Sequence, residues 1–549
     1  MQIDLIYLTS SNNLPEWPLG HVFPVTADTL IINELISDWL REGDAAYLLF
    51  WDAELGNPQP QVVHQVAETP GDVWHGGLRL GFGTQPQLID FVNPVWRFNR
   101  DPDPQIVATS WRLSLQACLV KREVLQQLGG PDDGFDTLTG ASLELGYRWH
   151  SCGALLQHVP ELVNVTRQKS VIDLSLADEF RFIRRHYGQK WAVWAFLRAV
   201  ASGYSTIPTW QALQLAQHNR FDLLPEPFQH KPHMQSMQPQ PTVSVLIPTI
   251  DRYPYLFQLL DQLRTQTVPP LEIIVIDQTP IERRDTIWPA QFADLPIRTI
   301  QRDQAGQCSS RNFGLQRAQG ETILFLDDDI EIPPDLIQNH LHVLEAYDQD
   351  GSCGVVEEIG AGALPYAFTY RRSSDVFPAG NTLLKTCALE ASGLFDMAYE
   401  TGSRADGDLG MRLYLAGKTL ILNPAAKILH LHAPRGGLRQ HGARAITRAG
   451  SRSSLWQRHL LAATEGYLWC RYFTLRQVRE ALLIRTFATL RGGNGRFRSL
   501  IRFLIMLVAL PITYKQNLKR LQQGRNMLQT HPTIPTFRTK QHNNRQEVL

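Results

Sequence analysis

Between residues 242 and 329 the chain alternates between two hydrophobic periods. "TVSVLIPT" (242–249) is a continuous apolar run, and "YPYLFQLLDQLRTQT" (253–267) spaces its apolar residues three and four apart. "LEIIVIDQT" (271–279) centres on a second apolar run, "SSRNFGLQRAQG" (309–320) reads as a helix ending at Gly320, and "ETILFLDDD" (321–329) as another buried strand. Short apolar runs between amphipathic segments predict an α/β fold, a mostly parallel sheet with helices on both faces. Ligands of such sheets gather at the carboxyl ends of the strands. The polar groups expected there are Thr249 with Asp251, Asp277, and the run Asp327, Asp328 and Asp329.

Outside this stretch, "MQIDLIYL" reads as a first strand, and residues 176–200 have helical spacing. Residues 223–244 are rich in Pro and Gln and read as a linker. Two segments match in register: Gly146, Arg148, Gly153 and Pro160 correspond to Gly410, Arg412, Gly417 and Pro424 at one constant offset. "YLLFWDAEL" (47–55) likewise echoes "ILFLDDDI", so the N-terminal part is expected to be a shortened copy of the same unit. In register, Ser142 takes the place of Asp406, Glu144 of Asp408, Thr166 of His430 and Gln168 of His432. The copy's acidic piece keeps only Asp52 and Glu54, and a serine cannot replace a carboxylate base, so a non-catalytic copy is expected. The expected domains are therefore 1–175, a helical segment and linker 176–240, a site-bearing domain 241–440, and a helical C-terminal region 441–549.

Three adjacent carboxylates at a strand end repel one another, so something positive is expected among them. Hard carboxylate oxygens suit Mg²⁺ or Mn²⁺, which complete their shells with water and substrate phosphates. An ion held by Asp327 and Asp329 would neutralise the cluster and draw in a diphosphate.

"VSVLIPTIDR", "EIIVID", "SSRNFGL", "ILFLDDD" and "GSRADGDLGMRL" occur in one order across roughly residues 241–435, and together they resemble the family 2 glycosyltransferases of the GT-A fold. The resemblance implies a Rossmann-like GT-A domain, here in tandem with its N-terminal copy. It also implies inverting transfer of a sugar from a nucleotide-sugar donor to the hydroxyl of a glycan or lipid-linked acceptor. Carried over by motif, Pro248 and Thr249 contact the nucleotide, Asp277 recognises the base, and Arg311 lies near the nucleobase and phosphates. Asp327 and Asp328 face the ribose and donor, and Asp329 binds the metal. Asp406 is the implied catalytic base, with Asp408 the alternative. His430 or His432 would complete the metal shell, and Arg435, beside Gly436 and Gly437, would close over phosphates. Two positions depart from the pattern: Ile250 stands where an aromatic is usual, and Ala405 where the family has Glu.

Composition then narrows the setting. A chain of 549 residues exceeds one ordinary core, and 43% apolar with 19% charged residues describes a folded protein. The six cysteines show no paired spacing, so zinc sites and a disulfide framework are not expected, and buried thiols in a reducing cytoplasm are. The N-terminus lacks the pattern of a secretory signal. No run reaches the roughly 18 apolar residues of a spanning helix, Phe503–Ile512 being short and interrupted by Pro511. The net charge of zero hides a basic tail: from Arg471 onward there are 15 Lys/Arg against 2 Asp/Glu. Arginines alternating with apolar residues suggest peripheral attachment at the inner face of the plasma membrane. No RNA-binding pattern accompanies the tail, so no nucleic acid partner is expected. Nucleotidyl transfer would call for a glycine-rich phosphate loop that "IPTIDRYPY" lacks, and the remaining rival is a non-catalytic sugar-binding relative.

Overall fold

The computed structural model describes residues 1–11, 13–163, 172–217, 226–231, 240–360, 362–434, 455–492 and 495–537. Two compact units emerge. The first comprises Met1–His233 with two short returns of the chain, Tyr370–Asp375 and Leu475–Ala481; the second holds the remainder.

The first unit is built on seven strands: β1 (Ile3–Leu8), β2 (Val22–Val25), β3 (Tyr47–Asp52), β4 (Val73–His75), β5 (Ala108–Thr109), β6 (Ala117–Lys121) and β7 (Leu156–His158), in the order β2-β1-β3-β6-β4-β7-β5. The three strands β2, β1 and β3 are parallel, β6 is antiparallel to both of its neighbours, and β4 and β7 are parallel. Side chains of Ile6, Leu48 and Phe50 pack with Trp39, Leu145 and Trp149 in its core. Helical spacing over 176–200 resolves into two helices, Leu176–Tyr187 and Gln189–Ala201. They break at Gly188, whose φ of 86° is costly for any residue with a Cβ.

The second unit carries β8 (Val243–Thr249), β9 (Glu272–Asp277), β10 (Ile297–Gln301), β11 (Thr322–Leu326), β12 (Ile330–Glu331), β13 (Gly351–Glu358), β14 (Asn381–Lys385) and β15 (Leu420–His430). Their order is β10-β9-β8-β11-β14-β13-β15-β12. The strands from β10 to β11 are parallel, β14 is antiparallel to both neighbours, and β13 and β15 are parallel. Six strands of each sheet thus share spatial order, direction and order along the chain, and β10 is an extra edge strand in the second. The expected mostly parallel sheet holds: six of these eight strands run in one direction, and β14 and the short edge strand β12 run against them.

Alternation along β8 explains why helices cover both faces. Val245 and Ile247 meet Leu256, Leu259 and Leu263 of the helix Tyr253–Arg264. Leu246 faces the other way, in a cluster with Leu315 of the helix Gln307–Leu315 and Leu409 and Leu413 of the helix Ala405–Leu415. Strand ends between two packed layers are thereby fixed in place.

The C-terminal helix Arg496–Thr530 corrects one sequence expectation. It runs through Pro511 for 35 residues and is long and apolar enough, by length and composition, to cross a membrane. Proline removes the hydrogen bond to the Leu507 carbonyl, but Leu507 is 47% exposed, on a face where water can satisfy that oxygen. Four of the six cysteines are buried as expected, whereas Cys387 is exposed and Cys470 half-buried.

Candidate active site

Strands β8 and β11 end side by side, and the chain beyond β11 turns at once into Asp327–Asp329. The positive group expected among these carboxylates is a side chain, Arg252. Its guanidinium lies 2.8 Å from an Asp328 oxygen and 3.1 Å from an Asp329 oxygen. Thr249 donates from Oγ1 to the other Asp328 oxygen at 2.8 Å. Burial pushes the Asp328 carboxyl up to about 6, with Arg252 pulling against it. Burial also raises Asp329, but His430 and Arg252 outweigh it and hold that carboxyl below the usual carboxylate range. An Asp329 oxygen stands 3.2 Å from His430 Nε2, and its other oxygen accepts from the Ala433 N–H at 3.0 Å. Asp327 is the outermost of the three, with an oxygen 3.0 Å from Arg311. A Cβ at Gly380 would come within 2.6 Å of that carboxylate, so glycine there keeps its place open.

Around these groups lies a cavity of about 420 Å³. Its walls bring together Pro248, Thr249, Arg311, Asp327, Asp328, Asp329, His430 and Asp406, eight of the residues singled out from sequence. Asp406 sits in the first turn of the helix Ala405–Leu415 with its side chain exposed. Before it, Arg404 takes a φ of 82°, a left-handed backbone at the helix entrance, and is paired to Glu465 at 3.0 Å.

Three expected residues lie elsewhere. Asp277 is fully buried behind the cavity, accepting from Tyr253 Oη at 2.8 Å and from the Thr279 N–H at 2.9 Å. Asp408 points into the second unit's core, where Arg412 Nε meets it at 2.9 Å and the hydroxyls of Tyr472 and Tyr399 at 2.8 and 3.3 Å. His432 stands past the end of β15 with a φ of 55°, its ring centroid 4.2 Å from that of His430. Arg435 falls outside the described residues, as do Gly436 and Gly437.

Sequence reasoning missed Arg252, Glu358 and Glu400. Arg252 follows "IPTID" directly, so a charge-pairing argument across strand ends could have found it. Glu358 comes to the cavity at the end of β13, and its carboxylate with His430 and His432 forms a set of ligand atoms within 4.8 Å of one another. Glu400 accepts from the N–H groups of Cys308 and Ser309 at 2.8 and 2.9 Å, capping the helix that presents Arg311. Asp327, Asp329 and His430 line the same cavity, and carboxylate oxygens with an imidazole are donor types that suit a divalent ion. The set whose ligand atoms lie within 4.8 Å of one another among the described residues is Glu358, His430 and His432.

The first unit contains the same helix-borne pair. Arg148 Nε lies 3.2 Å from Glu144, and its guanidinium donates to the Leu128 carbonyl. In the second unit Arg412 donates to the Ser392 carbonyl, and each carbonyl is followed by a glycine of positive φ, Gly129 at 73° and Gly393 at 75°. All four positions keep the register offset of the sequence match. At the Asp406 position the first unit has Ser142, buried, donating to the Leu138 carbonyl and accepting from the Leu115 N–H. Thr166 and Gln168 lie outside the described residues.

Residues 244–398 match the family model described as glycosyl transferase family 2, and this segment is a family 2 glycosyltransferase domain. An uncharacterised glycosyltransferase of Bacillus subtilis, YwdF, is 31% identical over 109 residues, which are 19% of this chain and 39% of YwdF. The O-antigen biosynthesis protein RfbC of Myxococcus xanthus is 26% identical over 216 residues, 39% of this chain and 15% of RfbC. Among solved structures, S. aureus TarS 1-349 in complex with UDP-GlcNAc is 14% identical, with a TM-score of 0.35 over 53% of this chain and 92% of that one. The chain spans less than half the length of these two curated relatives.

Proposed function

We propose that the family 2 domain transfers a sugar, with inversion, from a nucleoside-diphosphate donor to an acceptor hydroxyl in the synthesis of a cell-surface polysaccharide or a lipid-linked glycan. One observation carries this reading: strand-end carboxylates, three arginines and an exposed aspartate share one cavity of about 420 Å³. Arg311 is the cation positioned for the donor's phosphates. Arg252 neutralises Asp328 and Asp329 from within, so the cluster keeps its place before any ligand arrives. Asp327, Asp329 and His430 would hold Mg²⁺ or Mn²⁺, which when bound supplies Lewis-acid stabilisation of the departing diphosphate.

Asp406 is the proposed general base. An acceptor hydroxyl is a poor nucleophile at neutral pH, and a carboxylate within reach takes its proton as the new bond forms. Attack opposite the leaving diphosphate inverts the anomeric centre. Asp408 is assigned a structural part, because its oxygens are occupied and its pairing recurs at Glu144, in a unit whose Asp406 position is a buried serine. The first unit is read as a diverged, non-catalytic copy that scaffolds the chain or holds acceptor glycan. Attachment to the cytoplasmic face of the membrane through the C-terminal region belongs to the same proposal.

The test is incubation of the full chain and Mn²⁺ with UDP-, GDP-, dTDP- and CDP-linked sugars, following release of nucleoside diphosphate and the anomeric configuration of the product. Release from one donor with an inverted product is expected. Donor binding with no turnover under any acceptor would favour the non-catalytic sugar-binding relative instead.

A further inference from the structure

A second cleft, of about 750 Å³, lies wholly within the second unit, between the loop before Arg404, the segment Arg458–Thr464 and the C-terminal helix. Its charged lining is basic: Arg458, Lys519 and Arg520, with Thr401, Ser403 and Gln523 adding polar groups. Gln516 also lines it, and its Oε1 is buried without a hydrogen-bond partner among the described residues. The loop links this cleft to the active site. Ser403 is on the cleft, Arg404 lines the donor cavity, and Asp406 follows three residues after Ser403.

The C-terminal helix has two opposed faces. Arg502, Met506, Thr513, Asn517, Leu521 and Gly524 are buried and hold it to the unit. Arg502 donates to the Gln457 carbonyl, and Asn517 accepts from the Leu461 N–H. Gly524 allows a close crossing with the helix Ala463–Tyr472, since a Cβ there would meet the Tyr467 nitrogen at 2.4 Å. On the opposite face Phe497, Leu500, Leu504, Val508 and Ile512 form one exposed stripe, with Val508 82% and Phe497 75% exposed. At 100° per residue the same stripe continues into Lys515 and then Lys519, the cleft residue. An apolar stripe that ends in lysines matches the step from acyl chains to phosphate headgroups at a bilayer surface.

We propose that this cleft receives the diphosphate of a lipid-linked acceptor, with the lipid lying along the exposed stripe and the acceptor hydroxyl delivered past Ser403 to Asp406. The inference rests on the transferase reading above and adds the acceptor's chemical class and its site.

The experiment is isothermal titration of the full chain, with the donor site first filled by Mn²⁺ and whichever of UDP, GDP, dTDP or CDP stabilises it. The probes are geranyl diphosphate, inorganic pyrophosphate and geraniol. Geranyl diphosphate is expected to bind the nucleotide-saturated chain more tightly than either other probe. The Arg458→Gln/Lys519→Gln variant is expected to weaken it at least tenfold with the nucleotide-induced thermal shift unchanged, which also controls for folding. Pyrophosphate binding as tightly as geranyl diphosphate would overturn the lipid assignment. Wild-type affinity in the double variant, or no binding to the saturated chain, would overturn the site while leaving the transferase reading intact. Failure of all four nucleotides to stabilise the chain would instead sink the transferase reading and the acceptor role together.

Discussion

Both units fold a helix carboxylate onto an arginine four residues later, yet two residues before that carboxylate the second has an exposed aspartate beside a cavity and the first a buried serine. Glu144–Arg148 and Asp408–Arg412 sit in equivalent places, with the same guanidinium contact to the carbonyl before a glycine of positive φ. Two residues earlier the units part: Ser142 is buried and bonded to its own helix, whereas Asp406 faces the cavity. A shared feature of two units with different surroundings is best explained by folding, and an unshared one at a cavity by chemistry. The acidic turns differ in the same way. Asp52 caps the Glu54 N–H and accepts from Gln116 at 2.7 Å, which uses it locally, while Asp327 stays at the rim of a cavity.

The sharpest way to break this comparison is to remove the unshared carboxylate. Asp406→Asn should lower transfer by about 10²–10⁴-fold, the usual range for a lost general base, with nucleotide binding retained. Ser142→Ala in the first unit should leave the rate within twofold. Comparable losses in both variants, measured as steady-state transfer, would mean that the first unit is catalytic too.

Next come the shared pairs. Arg412→Met leaves the buried Asp408 carboxylate with tyrosine hydroxyls and no paired cation among the described residues, and should cost about 3–5 kcal/mol of stability in its unit. Glu144 keeps Arg185 at 2.8 Å, so Arg148→Met should cost less. Chemical denaturation followed by tryptophan fluorescence reads this directly. If Arg412→Met instead leaves stability intact and abolishes transfer, Asp408 belongs to the chemistry and the structural assignment is wrong.

A smaller effect in the first unit is read by pH. Burial raises the Glu179 carboxyl of the first unit to about 7, although it accepts from the Leu88 N–H at 2.7 Å. Its folded value lies above the ordinary 4.5, so the folded state holds the extra proton. The contribution to stability is therefore present below about pH 4.5 and lost as pH rises through about 7. Glu179→Gln keeps an acceptor for Leu88 and should match wild type at pH 4 but exceed it at pH 8. Equal pH profiles for the two proteins would contradict the buried, protonated carboxyl.

Much of the second sheet was legible because β8, β9 and β11 are continuous apolar runs that end in polar residues. The antiparallel β14 was not, since "NTLLK" has no property that sets its direction; its partners β11 and β13 do. Cavity residues carried by strand ends and by the acidic run were found from pattern. Arg252 was missed because its partners are 76 and 77 residues distant, and pairing across a sheet leaves no local spacing. Asp408 was ambiguous for the opposite reason: its i, i+4 relation to Arg412 is visible in "DLGMR", but only burial shows which carboxylate is occupied. Pro511 misled because its cost depends on whether the freed carbonyl meets water, a property of the surface.

One measurement tests the central claim, that the acidic turn of the second unit and not that of the first serves a nucleotide. Thermal shifts with UDP, GDP, dTDP and CDP, with and without Mn²⁺, should be recorded for wild type, Asp329→Asn and Asp52→Asn. A ligand that binds only the folded state raises its stability with concentration. The account predicts a Mn²⁺-dependent shift with one nucleotide that Asp52→Asn keeps and Asp329→Asn loses. A shift that survives Asp329→Asn and disappears in Asp52→Asn would contradict it.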